Sequence, residues 1–407
     1  MMKKLFPLTV VCLLLIGMSI LMSSCAKEQE KVVNFSLYGT PLSVHFDASQ
    51  CDSLKGVADE DVVAFVENLE GNAQSVVDEC LQIKKELNLC DWAYFHMLDS
   101  LSAAAWNNSN EVVAAVAVLM IQSGYEVRLL RTQDNSLRLL YQTDAFVYNA
   151  ASYIDGEKKY FLYGDSIQIN DSCNVVTEAT NGKTIDFHYQ GEMKLAEKLT
   201  EPRTIRSVKD STFTFTVQVN KNLIDFYADM PSFMYDNNFM TRWAVMAQYP
   251  LEQHLQQTLV REMKEKLAGK SKKEQVQQLL WWVHGGVDLE REKPNQDILL
   301  FAYDEDVWGA DRAFYAEETL YYPYCDAEDR SILFAELVRE VVGLDVALVY
   351  YPGHLSAAVC FDEPVEGDAY DLDGRKFVTC DPTYIGSKIG EIMPIVKHDD
   401  AVLMVIK

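Results

Sequence analysis

The segregation of segment types along this chain predicts an α+β fold. Between residues 58 and 123 apolar residues recur at helical spacing, and from Tyr125 the pattern switches to alternation. A second succession of helix, glycine and strand follows around Gly343. Helices and strands grouped in blocks of this kind mark α+β rather than α/β proteins. The chain has 407 residues, 49% of them apolar, enough for a sizeable core. At about 100 to 200 residues per domain, two or three domains are expected.

Residues 1 to 24 read as a leader. Lys3 and Lys4 precede an apolar stretch from Leu5 to Met22 and then Ser23-Ser24-Cys25. This resembles a bacterial lipoprotein signal, with cleavage before Cys25 and acylation of that residue. The polar stretch Lys27-Glu28-Gln29-Glu30-Lys31 is then a tether, so residues 25 to 31 link a lipid anchor to the folded protein. Such a chain belongs in the cell envelope, anchored to the outer membrane, with the bilayer as a partner through Cys25.

Residues 32 to 165 form the first expected domain. Val33, Phe35 and Leu37 alternate, Gly39-Thr40-Pro41 turns the chain, and Val44 and Phe46 return it, which predicts a hairpin. Helices are expected over 58 to 69, 73 to 87, 91 to 105 and 110 to 123, the last ended by Gly124. Strands follow over 125 to 129 and, after Ile154-Asp155-Gly156, over 160 to 163.

Residues 166 to 220 read as a β-rich spacer. Asn181-Gly182 is a hairpin signal, and Phe213, Phe215, Val217 and Val219 alternate with threonines and Gln218. Residues 221 to 407 are the last domain. An amphipathic helix runs over 251 to 267, and Ser271 with Glu274 forms a capping box for the helix that reaches Trp281-Trp282-Val283-His284. The connection from 288 to 322 is acidic and carries Trp308, Phe314, Tyr315, Tyr321 and Tyr322.

The stretch Tyr324-Cys325-Asp326-Ala327-Glu328-Asp329-Arg330-Ser331-Ile332-Leu333-Phe334 resembles the helix bearing the active cysteine in the transglutaminase-like family of the papain-like superfamily. There the cysteine precedes an acidic pair and a long apolar run. In this register its slot holds Ala327, its following aspartate is Asp329, its arginine is Arg339 and its helix-ending glycine is Gly343. His354, after Tyr350-Tyr351-Pro352-Gly353, and Asp381, before Pro382-Thr383-Tyr384, match the family's base and orienter. The resemblance covers residues 251 to 394, and more loosely 86 to 163, which reads as a degenerate copy with Asn108 opposite Ala327 and no histidine opposite His354. It implies an antiparallel sheet bearing His354 and Asp381 beneath the Ala327 helix. Family activities include peptide or amide hydrolysis and acyl transfer through a thioester; no cofactor is expected for this chain.

The chemistry explains the grouping. A thiol at a helix N-terminus is activated by the macrodipole, a histidine takes its proton, and a carboxylate holds the ring. Cys325 lies two residues from the slot, about 5 to 7 Å along the chain, too far to replace a side chain at 327 unaided. The leading expectation is a domain that has lost its nucleophile and binds peptide or cell-envelope polymer. The rival is an active cysteine hydrolase or acyltransferase using Cys325, with His354 as base and Asp381 as orienter. A purely structural envelope protein is the third.

Composition excludes other classes. A net charge of -25, reaching -27 once Lys3 and Lys4 leave with the leader, opposes nucleic acid and charge-driven adhesion to anionic membranes. Neither a Cys-x-x-Cys pair nor His-Glu-x-x-His occurs, so no metal is expected. Gly269-Lys270-Ser271 lacks the earlier glycine of a P-loop, and Asp371-Leu372-Asp373-Gly374 is a turn. Beyond Cys25 seven cysteines remain, of which Cys80, Cys360 and Cys380 sit in apolar runs and are expected to be buried.

Overall fold

The computed structural model describes residues 31–164, 167–170, 172–188, 191–285, 300–396 and 400–406. The expected leader, Cys25, the tether up to residue 30 and the first part of the acidic connection lie outside them. The fold is α+β, and one contiguous apolar core runs from Leu37 to Ile406. Among the described residues no helix is long and apolar enough to cross a membrane.

A hairpin of β1 (Val32–Leu37) and β2 (Thr40–His45) opens the chain. Four helices follow: α1 (Asp59–Glu70), α2 (Gln74–Glu86), α3 (Asp91–Ala105) and α4 (Ser109–Gln122). The strands after them are β3 (Val127–Arg131), β4 (Leu137–Gln142), β5 (Ser152–Asp155), β6 (Lys158–Leu162) and β7 (Asn174–Val175). They form an antiparallel sheet in the order β5-β6-β4-β3-β7, with α4 lying across β3 and β4.

This unit runs past residue 165, and a buried acid explains why. Glu126 is fully buried, and its carboxylate accepts hydrogen bonds from Tyr160 Oη (2.9 Å), Gly182 N (3.0 Å) and Thr180 Oγ1 (3.2 Å). A buried carboxylate without such donors is costly, so the chain around 180 is drawn onto β3. Asn181-Gly182 therefore makes a docked turn, with Lys183 bridged to Tyr125, and not a hairpin. A Cβ on Gly182 would stand 2.5 Å from the carbonyl carbon of Tyr125, which requires glycine there.

The expected β-rich spacer is also reduced. Between residues 200 and 220 the strands are β8 (Arg203–Arg206) and β9 (Thr214–Val217), with a single bridge from Leu199 to Asn220 beyond them. Phe213, Phe215, Val217 and Val219 are all buried, as their alternation predicts. They are covered by Trp282, whose ring meets Phe215 edge-on and whose Nε1 donates to Ile205 O at 3.1 Å. The hairpin is thus part of the following domain's core.

That domain contains a helix from Gln253 to Leu267 with a π turn at Gln256–Val260. Next is α5 (Lys272–Val283), whose capping box joins Ser271 and Glu274. A parallel pair, β10 (Leu300–Phe301) with β11 (Tyr324–Cys325), flanks α6 (Ala316–Tyr321) in sequence. Then α7 (Ala327–Leu337) continues through a π turn at Val338–Val342 to Gly343, at φ +71°. The strands β12 (Asp345–Tyr351), β13 (His354–Cys360), β14 (Ala369–Leu372), β15 (Arg375–Cys380) and β16 (Val402–Val405) form an antiparallel sheet in the order β14-β15-β13-β12-β16. Its face carries α7, across β13 and β12.

Strand for strand, this is the order of the first sheet. The helix caps align the two more closely than counting back from the glycines does. Asn108 and Asp326 are both N-caps, and α7 with its π turn is one residue longer than α4 up to the glycine, the residue that a π turn inserts. Ser109, and not Asn108, therefore stands opposite Ala327. Carried through the strand registers, Ser136 stands opposite His354 and Gly164 opposite Asp381.

The later unit buries a group of carboxyls. Glu317 of α6 is 1% exposed, and its Oε1 accepts the Glu252 N–H at 3.0 Å. Burial, with Glu252 and Glu336 nearby, holds the Glu317 carboxyl well above the usual range, and burial pushes Glu252 up to about 7. An acid whose folded pKa is raised stays neutral in the fold while the unfolded chain ionises, so stability falls as pH climbs from the ordinary carboxylate range to the folded value, by about 1.4 kcal/mol per pH unit and group. Glu317→Gln keeps the acceptor and removes the ionisation. Its melting temperature should therefore fall less between pH 5 and 8 than that of the parent, with the widest gap at pH 8; parallel thermal-melt curves across that range would contradict the assignment.

Candidate functional site

Part of the set singled out in sequence meets at a cleft of about 520 Å³ beside the start of α7. Ala327, His354 and Thr383 line it, together with the rings of Trp243, Phe301, Tyr303 and Tyr350. Strand register accounts for the meeting of His354 and Asp381. Ala357 on β13 lies opposite Cys380 on β15, so the residue that opens one strand and the residue that follows the other reach the same end of the sheet.

His354 Nε2 lies 3.0 Å from Asp381 Oδ2. The Asp381 Oδ1 atom accepts from Thr383 N (3.0 Å), Thr383 Oγ1 (2.8 Å) and Tyr384 N (3.1 Å). Asp381 is 1% exposed. Burial alone pushes its carboxyl up, yet the hydrogen bonds from His354 and Thr383 prevail and hold it below the usual carboxylate range. The aspartate is thus ionised and acts as the acceptor that fixes the imidazole. With Nε2 committed to Asp381, Nδ1 is the ring nitrogen left for chemistry in the cleft.

Beneath the pair lies a residue without a role in the sequence-level reading. His284, the C-cap of α5, is fully buried; its Nδ1 accepts from Gly386 N at 3.2 Å and its Nε2 lies 3.0 Å from Asp381 O. The first bond makes Nδ1 an acceptor, so the proton sits on Nε2 and is donated to the Asp381 carbonyl. Burial, with Arg330 close by, pushes the His284 pKa down to about 4, which keeps this neutral tautomer. The same helix holds the rest of the loop: Trp281 Nε1 donates to Ser387 O (2.9 Å), and Gln277 Oε1 accepts from Ile389 N (3.0 Å). A histidine at a helix end is a common sight, so the sequence carried no signal for this role.

At the head of α7, Asp329 accepts the N–H of Asp326 (3.1 Å) and of Phe314 (2.8 Å), which ties the approaching chain to the first helical turn. The first helical residue, Ala327, faces the cleft. Cys325 does not. It sits on β11, 1% exposed, with Arg330 Nε 3.3 Å from its sulfur, and it is not among the residues that line the cleft. Burial pushes its thiol up, the direction opposite to activation. Pairing with β10 and the contact to Arg330 also remove the loop freedom that a swing toward His354 needs. Arg330 itself is fully buried and donates to His284 O at 3.0 Å. The structure therefore brings His354 and Asp381 together with Ala327, and leaves Cys325 behind the helix start.

The aromatics of the connection mostly pack. Tyr315 is buried and stacks on Tyr227 at 4.0 Å, while Trp308, Phe314 and Tyr322 cluster around Arg312. Cys80 and Cys380 are buried as expected; Cys360, at the end of β13, is only half-buried. No disulfide links the described cysteines, and no group of His, Cys, Asp and Glu among the described residues is arranged to hold a metal ion.

No protein-family model matches the chain, and neither the curated proteins nor the solved structures give a match.

The His284 bonds have a measurable consequence. His284→Leu leaves the Gly386 N–H unpaired, takes from the Asp381 carbonyl one of its two donors, the other being Ser387 Oγ at 3.3 Å, and should cost about 1–3 kcal/mol in urea unfolding. It should also remove the downfield NMR resonance of the His354 Nε2 proton. His284→Gln, which supplies a donor and an acceptor, should restore most of both. Equal behaviour of the two variants would leave His284 as packing alone.

Proposed function

We propose that this protein is an exported, lipid-anchored envelope protein with a transglutaminase-like domain that has kept its catalytic frame and lost its nucleophile, and that it binds peptide or cell-envelope polymer in the cleft. One observation carries the reading: Ala327 occupies the cleft with the His354–Asp381 pair, and Cys325 is buried away from it. A base and its orienter without a nucleophile cannot form a thioester, yet the cleft beside them remains open and walled with rings. The matching strand orders support the further reading that the first unit is a degenerate copy, with Ser109, Ser136 and Gly164 where the later unit has Ala327, His354 and Asp381.

Thiol reactivity tests the core of this. Cys325 should alkylate slowly with iodoacetamide at neutral pH, in keeping with a buried thiol. Ala327→Cys should add a thiol that reacts at least about tenfold faster, and His354→Ala in that background should abolish the gain. Fast, His354-dependent alkylation of Cys325 in the parent protein would make this an active cysteine hydrolase or acyltransferase.

The anchoring half rests on Lys3, Lys4, the apolar run and Ser23-Ser24-Cys25. Mass spectrometry of the mature N-terminus should find a chain that begins at an acylated Cys25. An unmodified chain that retains residues upstream of it would remove the lipid anchor and the outer-membrane placement together.

A further inference from the structure

The cleft carries charge of one sign. Glu305, Asp311, Asp326 and Glu328 line it, and no lysine or arginine is among its described lining residues. The cation next to it, Arg242, lines a neighbouring hollow and reaches Asp311 at 3.5 Å. Arg242 is largely covered, whereas the Asp311 side chain is 57% exposed and keeps most of its surface for another partner.

The same cleft exposes apolar surface that a folded chain ordinarily covers. Phe301 is 45% exposed, Tyr303 62% and Ile395 81%, and the two rings meet edge to face at 5.2 Å. Each Å² of apolar surface removed from water is favourable by about 25 cal/mol, and an aromatic face also attracts a cation. A ligand that fits must bring positive charge and an apolar group side by side. A neutral glycan strand has no cation and a polyamine no large apolar group; a peptide carries both.

We infer that the occupant of this cleft is an extended peptide segment with a lysine or arginine beside an apolar side chain, the cation set among Glu305, Asp311 and Glu328 and the apolar group against Phe301, Tyr303 and Ile395. The inference rests on the peptide-binding reading above and names its substrate class. Charge complementarity selects the sequence, and the exposed rings supply the area that is buried.

Fluorescence anisotropy on the mature protein tests it with two short labelled peptides that are identical except that lysine in one is glutamate in the other. The lysine peptide should bind about tenfold or more tightly than its partner, and the difference should shrink as salt is raised. Glu305→Gln with Glu328→Gln should weaken the lysine peptide by about tenfold while leaving the melting temperature close to that of the parent; Tyr303→Ala should weaken both peptides. Ala327→Trp, which fills the cleft, should abolish binding. Equal binding of the two peptides, blocked by Ala327→Trp, overturns the charge inference and leaves a peptide cleft standing. Lysine-peptide binding that ignores the double glutamine variant overturns the placement of the cation. Binding of neither peptide overturns the inference and the peptide reading with it.

Discussion

A buried, ionised aspartate is the constraint on which the cleft depends. A carboxylate that is 1% exposed costs several kcal/mol unless its oxygens are satisfied, and Asp381 meets that demand with the imidazole of His354, the hydroxyl and N–H of Thr383 and the N–H of Tyr384. Thr383 and Tyr384 lie on a loop, and a loop alone would not hold them. Trp281, Gln277 and His284 on α5 clasp it from below. The end of the sheet, the loop and α5 thus form one hydrogen-bonded body. Its geometry makes no use of the side chain at 327, so an alanine there leaves the His354–Asp381 pair in place.

The first unit has the same strand order without this pair. With Ser136 and Gly164 at the register positions of His354 and Asp381, no buried charge has to be held at that corner. The corresponding corner is instead closed by local bonds: the Asn110 carboxamide accepts from Leu137 N at 2.8 Å and donates to Asn135 O at 3.3 Å. Arg131 reaches Val57 O at 2.7 Å and draws the chain before α1 over the same end. The strand order is shared, and the chemistry is not. Packing of a helix on a five-stranded sheet is satisfied by apolar periodicity, whereas an open cleft needs charged groups that the surrounding structure has to hold in place.

The separation of Cys325 from the cleft follows from backbone direction at the helix start. Cys325 is the last residue of a strand and turns into the core, where Arg330, one helical turn on from Asp326, contacts its sulfur. Asp326 then caps the helix, and Ala327, the next residue, faces the cleft. Two residues that are close in the chain therefore look in opposite directions. An arginine buried against a thiol and a backbone carbonyl stabilises this arrangement and costs the thiol its access to solvent.

Much of this protein was determined by short-range pattern. The periodicity of 58 to 123, the capping box at Ser271 and Glu274, the alternation of Phe213 to Val219 and the glycines at 124 and 343 specify elements from residues within a few positions of one another, and the structure has these elements. The order Ala327, His354, Asp381 was likewise legible, because each follows a local signature: a cap, a Pro-Gly turn and a strand end before proline. Tertiary structure alone decided the rest. It drew the Asn181-Gly182 turn onto Glu126, made β8 and β9 part of a core through Trp282, and set His284 beneath Asp381, a contact with the Gly386 loop that spans 102 residues of chain. It also decided which of Cys325 and Ala327 sees the cleft. The reason is one of range: a periodicity or a cap is settled by the backbone's own hydrogen bonds, whereas the burial of a charge or a thiol is settled by whichever distant segment arrives to pair with it.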